Sequence, residues 1–247
     1  VTLNPALDKV LFLDKLIKGI TNRINRMEVT MGGKGTHVSM NLAIMGLPSR
    51  AFGLAYGSTG TYIIDMLKKS GIETHFVYRD HDESRTNYLL IEEDGTSTIV
   101  AEKGVESPEE DTAALLDLMA GYVRPGDFVV LSGDASNYTD PGIYNRLIRK
   151  MAHKNIHVLV DASGETLRNS LEEPLFMVKP NQDELEFVLG KSCRTKDEIL
   201  RAIHTIDETY TLQIIAVSLG GDGSIVKMKD GIYHSQPPAV NVKNTVG

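Results

Sequence analysis

The chain of 247 residues carries a formal net charge of −7, with 41% hydrophobic and 24% charged residues and a single cysteine. That length can bury a sizeable core, as one large α/β domain or as a domain with a small appendage. The acidic balance argues against a nucleic-acid surface, which is normally basic; no run reaches the roughly 18 apolar residues of a membrane span, and Cys193 alone excludes an internal disulfide and fits a reducing cytosol.

Taken in order, Val1 to Leu3 reads as a short buried strand closed by Asn4-Pro5, with Asp8 within five residues. Val10 to Leu13 and Ile24 to Thr30 read as strands of a separate, partly exposed sheet, from their imperfect alternation. Gly32-Gly33-Lys34-Gly35 then precedes an apolar-periodic helix over 36–46, which ends at Gly46-Leu47-Pro48. Glycine lets a backbone approach a ligand closely, and a helix N-terminus presents unpaired N–H groups and a positive dipole end. With the Lys34 charge added, the loop suits a polyhydroxylated or anionic small molecule. The bland alternative is a strand-to-helix turn with a solvated lysine.

Ala51 to Ala55 is a strand, Tyr62 to Ser70 a helix capped by Gly71, and Thr74 to Tyr78 a strand. Thr86 to Ile91 and Thr96 to Ala101 flank Asp94-Gly95, a strong hairpin signal. Pro108 to Gly121 reads as a helix. Strands at 128–131, 157–160, 176–178 and 214–217 then alternate with helices at 141–153, 164–171, 182–189 and 196–208. Such alternation means βαβ units and a mostly parallel sheet. The pieces at about 10–30 and 86–101 fall outside that rhythm and are expected to form a small second sheet. Residues 226–233 around Asp230-Gly231 suggest a late hairpin.

In an open parallel sheet ligands bind beyond the carboxyl ends of the strands. Those ends carry Asn4 and Asp8, Ser132-Gly133, Asp161 to Glu165, Lys179 to Glu184, and Ser218 to Gly223. Asp161, Ser163 and Asn181 are each good helix caps taken singly. As a set on one edge they point to an elongated cleft. The seven histidines show no metal-ligand spacing.

These residues together resemble the pfkB family of carbohydrate kinases, which have the ribokinase-like fold. The resemblance covers essentially the whole chain. It rests on Thr2 to Asp8, Asn22-Arg23, Gly32 to Gly35, Arg85 with Asn87, Leu131-Ser132-Gly133, Asp161 to Glu165, Lys179-Pro180-Asn181 with Glu184, Ser218 to Gly223, and Asn244 to Gly247. The opening Thr-Leu-Asn-Pro-Ala-Leu-Asp and the Asp-Ala-Ser-Gly-Glu run resemble the subgroup containing 1-phosphofructokinase and tagatose-6-phosphate kinase.

The resemblance implies an α/β fold with a mostly parallel central sheet and a small β lid at about 10–30 and 86–101, over a single kinase domain. Asp8 would accept from sugar hydroxyls, as an acceptor-only carboxylate must. Gly32 and Gly33 would let the sugar pack on backbone, with His37, Asn87 and Ser132 beside it. Lys34, Arg23 and Arg85 would meet a phosphate already on the sugar. Lys179, Asn181, Glu184, Ser218, Gly220, Gly221 and Gly223 would hold ATP, and Asn181 and Glu184 would position Mg²⁺ mainly through water. In related proteins the lid often mediates dimerisation. Two departures fall on the sugar side: Thr36-His37 where the family usually has Asn, and Asp134-Ala135-Ser136 where it commonly has Ser-Leu-Pro.

The implied activity is ATP-dependent phosphorylation of a primary hydroxyl of a phosphorylated ketohexose, of the fructose-1-phosphate or tagatose-6-phosphate type, in the cytoplasm. The alternatives are a kinase for another sugar or a nucleoside, or an inactive relative that senses sugar phosphate. A nicotinamide enzyme is a weak reading, because Gly220-Gly221-Asp222-Gly223 comes late and precedes a hairpin. Both chain ends read as cuts. The general-base aspartate is expected just after Gly247, which would begin the anion hole, so the chain as written is expected to bind sugar phosphate without turnover.

Overall fold

The computed structural model describes residues 1–133 and 135–238. The chain divides into two compact units, Thr2–Asp111 and Thr112–Pro238, with Val1 belonging to the latter.

The first unit opens with β1 (Ala6–Leu13) and β2 (Arg26–Gly32), followed by α1 (Lys34–Ile44), β3 (Arg50–Tyr56), α2 (Gly57–Lys69) and β4 (Glu73–Arg79). It continues with β5 (Arg85–Glu92) and β6 (Ser97–Ala101). A four-stranded sheet has the order β2-β1-β5-β6, and β3 and β4 form a parallel pair. The two expected β segments therefore meet in one sheet. Its strands differ from the sequence reading in one respect that matters. β1 begins at Ala6, not Val10, so Asp8 lies in a strand and not in a loop. The cause is bilateral pairing: β1 runs antiparallel to β2 from the Ala6–Gly32 pair and parallel to β5 from the Ala6–Arg85 pair. The expected strand at 1–3 shrinks to one bridge between Thr2 and Gly53. Pro5 lacks the N–H that would carry a ladder onward. The unit's apolar cluster holds Met31, Ala51, Ile63, Leu67 and Ile72, contributed by β2, β3 and α2 with the turn beyond α2.

α3 (Glu109–Tyr122) crosses from the first unit into the second. The second unit continues with β7 (Phe128–Ser132), α4 (Ile143–Met151), β8 (His157–Asp161), α5 (Gly164–Ser170), β9 (Leu175–Val178) and α6 (Gln182–Leu189). α7 (Lys196–Thr209), β10 (Leu212–Ser218), β11 (Ser224–Met228) and β12 (Gly231–Ser235) complete it. The sheet order is β12-β11-β10-β9-β8-β7. The pairs from β7 to β10 are parallel, and β11 and β12 form the antiparallel hairpin. α7 shows why these segments fold as they do. Ile199, Ala202, Ile203 and Ile206 recur at helical spacing and are all buried. Each isoleucine so buried contributes about 1.5–3 kcal/mol. The mostly parallel sheet of the second unit, with strands and helices in alternation, is the α/β architecture that the sequence implies.

Candidate active site

In the first unit the register gathers one polar corner. Asp8 pairs with Thr30 on β2 and with Asn87 on β5. The Asn87 amide Nδ2 donates to Asp8 Oδ1 at 2.8 Å. Asp8 is only 6% exposed, and burial pushes its carboxyl above the ordinary value. The Asn87 hydrogen bond and the His37 and Arg85 charges pull the other way. Gly32 belongs to the same corner. A Cβ there would stand 1.9 Å from Asp8 Oδ1, so only glycine leaves the carboxylate its place.

Arg85, also buried, donates Nε–H to the Asn4 carbonyl at 3.1 Å. Asn4 in turn donates Nδ2 to Lys103 O at 2.9 Å. The sequence marks Asn4 only as a strand end, and its tie to Arg85 spans 81 residues, which no local pattern signals. Lys34 is exposed as the first residue of α1, directly after Gly33. His37 donates Nε2–H to Met31 O at 2.8 Å, so that nitrogen serves the glycine loop's own backbone. Arg23 is not gathered here. It sits, exposed, in the connection between β1 and β2, two residues from Asn25, whose N–H donates to Phe12 O. From the Ala6–Gly32 pair to the Phe12–Arg26 pair β1 runs about 20 Å at the rise of a strand.

In the second unit four strand ends share one edge, in the sheet order β7, β8, β9, β10. They carry Ser132, Asp161, Lys179 and Ser218. Ser132, expected beside the sugar, is fully buried, and its hydroxyl lies 3.5 Å from Asp161 Oδ2. Lys179 Nζ is 3.3 Å from Asp161 Oδ1. Asp161 reads from sequence as a cap or motif residue; its pairing with Lys179 depends on strand order.

Asn181 and Glu184 close a capping box at the start of α6. The Asn181 side chain accepts from Glu184 N–H, and Glu184 Oε2 accepts from Asn181 N–H, both at 2.8 Å. The Asn181–Ser218 bridge ties that helix start to β10. After Ser218 the chain reverses tightly: Leu219 N–H donates to Gly223 O and Gly223 N–H to Gly220 O. At Gly223 a Cβ would stand 1.9 Å from Ser235 O. A cavity of about 390 Å³ opens beside this turn, lined in part by Gln182, Arg194, Lys196, Ile199, Leu219 and Gly221. Of the sequence-assigned nucleotide residues, Gly221 lines it. Arg194 was not foreseen there; its guanidinium bonds Asp183 and Glu186. Among the described residues no cluster of three or more His, Cys, Asp or Glu side chains could hold a metal ion. Gly247 and Asp134 lie outside the described residues.

Comparison with known proteins identifies the family. The chain is 30% identical over 247 residues, all of its length, to 1-phosphofructokinase of Bacillus subtilis (strain 168), and spans 80% of that protein. The structure of a tetrameric inhibited form of phosphofructokinase-2 from Escherichia coli superposes with a TM-score of 0.90 at 24% identity, covering 97% of this chain and 79% of that one. A possible 1-phosphofructokinase of Thermotoga maritima superposes with a TM-score of 0.78 at 27% identity, covering 94% and 74%. The model of the pfkB family of carbohydrate kinases matches residues 3–247, and the chain belongs to that family.

Proposed function

We propose that this sugar kinase uses ATP with Mg²⁺ to phosphorylate a primary hydroxyl of a phosphorylated ketohexose, of the fructose-1-phosphate or tagatose-6-phosphate type. The observation that carries the reading is the corner of Asp8, Asn87, Gly32 and Arg85. A mostly buried carboxylate beside a glycine surface suits a polyol that donates hydrogen bonds. Arg85 and Lys34 supply positive charge for the substrate's own phosphate.

The donor set at α6 fits Mg²⁺. Asn181 and Glu184 offer hard oxygens, and an ion that keeps much of its water needs no dense protein cage. Bound Mg·ATP supplies the phosphoryl group and offsets its charge. The chain's part would be to orient: Glu184 and Asn181 would hold the cation's water, Lys179 would meet phosphate oxygens, and the turn from Ser218 to Gly223 would offer backbone to the nucleotide. A hydrophilic kinase of this kind acts in the cytoplasm. It pairs with a second copy through the small sheet, where Met27, Val29 and Val100 share one face by register and are 51%, 38% and 56% exposed. Related phosphofructokinase-2 has been solved as a tetramer.

A coupled kinase assay across a panel of sugars and sugar phosphates tests the reading, with Arg85→Ala as the probe. The substitution should raise the sugar-phosphate KM tenfold or more, since a charge-assisted contact is worth about 1.5–3 kcal/mol, and leave the ATP KM nearly unchanged. A preference for unphosphorylated sugars, indifferent to Arg85, would overturn it.

A further inference from the structure

We propose that Asn87 is a positioning residue for Asp8: its amide holds Oδ1, so that the carboxylate presents Oδ2 alone to a single hydroxyl of the sugar. This rests on the reading that Asp8 meets the sugar. Asp8 Oδ1 is occupied by the Asn87 donor at 2.8 Å, and among the described residues no donor is bonded to Oδ2. The arrangement is built from three strands. β5 places Asn87 directly opposite Asp8, while β2 places neutral Thr30 on the other side and Gly32 where a side chain would displace the carboxylate.

The amide's orientation is set by this contact. Among the described residues Asn87 Oδ1 is buried and accepts no hydrogen bond, and the side chain's one polar tie is the one to Asp8. A buried acceptor left unpaired is costly. Turning the amide over would set its oxygen against the carboxylate, which is worse. The asparagine thus carries a cost in stability for a side chain whose visible product is one fixed carboxylate rotamer.

The charge of Asp8 follows from the same geometry. Burial favours its neutral form, and the Asn87 donor opposes that, with help from His37 of α1 and Arg85 of β5. A neutral Asp8 would be half donor and would lose its selectivity for a hydroxyl that donates. Losing the Asn87 amide therefore affects sugar affinity and its pH dependence together.

The test is steady-state kinetics of the full-length kinase against pH, with Asn87→Leu and Asp8→Asn. Asn87→Leu should raise the sugar-phosphate KM about tenfold with the ATP KM unmoved. The acid limb of kcat/KM should shift to higher pH, because an ionised carboxylate deprived of a donor takes up its proton more readily. Asn87→Thr suits a strand and shortens the donor, so it gives the same readout should the leucine variant fail to fold; Asn87→Gln, which keeps the amide, should restore part of the affinity. If Asp8→Asn raises the sugar KM but Asn87→Leu and Asn87→Thr leave both the KM and the acid limb in place, the positioning role is overturned and the sugar reading stands. If Asp8→Asn itself leaves the sugar KM unchanged, the sugar reading fails as well.

Discussion

Two polar corners of this kinase are built in opposite ways. At the start of α6, Asn181 and Glu184 satisfy one another across three residues, and a capping box would place both side chains with no ligand in view. At the rung of Thr30, Asp8 and Asn87, the polar groups come from three strands, and among the described residues the buried amide oxygen of Asn87 goes unpaired, while both corners bury a carboxylate. Protein stability alone accounts for the first corner. It does not account for the second, where the unpaired amide oxygen costs folding free energy. A satisfied local motif is thus weak grounds for assigning a function, whereas a non-local one that leaves a buried group unpaired is stronger.

The sharpest way to break that contrast is Gly32→Ala. Its Cβ would meet Asp8 Oδ1 at 1.9 Å, so the carboxylate must leave Asn87. The expected result is a fall of about a hundredfold in kcat/KM for the sugar phosphate, a lost charge-assisted bond plus strain, with the ATP KM unmoved. A variant of normal sugar affinity would place the sugar elsewhere.

Glu184→Gln probes the other corner. Glutamine serves a capping box as glutamate does, so unfolding free energy should change by about 1 kcal/mol or less. A role at Mg²⁺ should still lower kcat about tenfold and raise the Mg²⁺ concentration required. An unmoved Mg²⁺ titration would reduce Glu184 to its cap.

The smallest effect separates capping from catalysis altogether. Glu83 accepts from Ser58 N–H, Ser58 Oγ–H and Thr59 N–H at the start of α2. The Thr59 backbone donor is the main reason its carboxyl lies below the ordinary value of 4.5. A depressed acid stabilises the fold above its unfolded pKa, and that stability is lost as pH falls through the folded one. Glu83→Ala should cost about 1 kcal/mol at neutral pH, an ordinary cap's worth, and nothing in KM. Melting curves of the two proteins should converge as pH drops below that range; a constant gap would assign the effect to packing.

What the sequence revealed follows the same division. α6 and α7 were legible to within a residue, because apolar spacing and capping residues are local signals. The strand carrying Asp8 was misread because Asn4-Pro5 punctuates the chain just ahead of it. The partners of Asp8 lie 22 and 79 residues away, and only the folded ladder recruits Ala6 to Lys9 into a strand. The Asn4–Arg85 tie, the Lys179–Asp161 pair and the setting of Arg23 at the far end of β1 were hidden for the same reason. Resemblance to the family supplied which residues to weigh; pairing across the sheet supplied what each one touches.

The shared rung also governs how this sequence can drift. The outer residues of β2, Arg26 to Thr30, are exposed, so the packing of the core does not fix their side chains. The strand's length is fixed. Insert or delete one residue there and every side chain turns to the opposite face. After an insertion Met31 would then stand where Gly32 makes room for Asp8. Along β2 the core leaves composition looser than count, and an insertion too small to unfold the sheet would leave an intact protein whose Asp8 carboxylate is displaced.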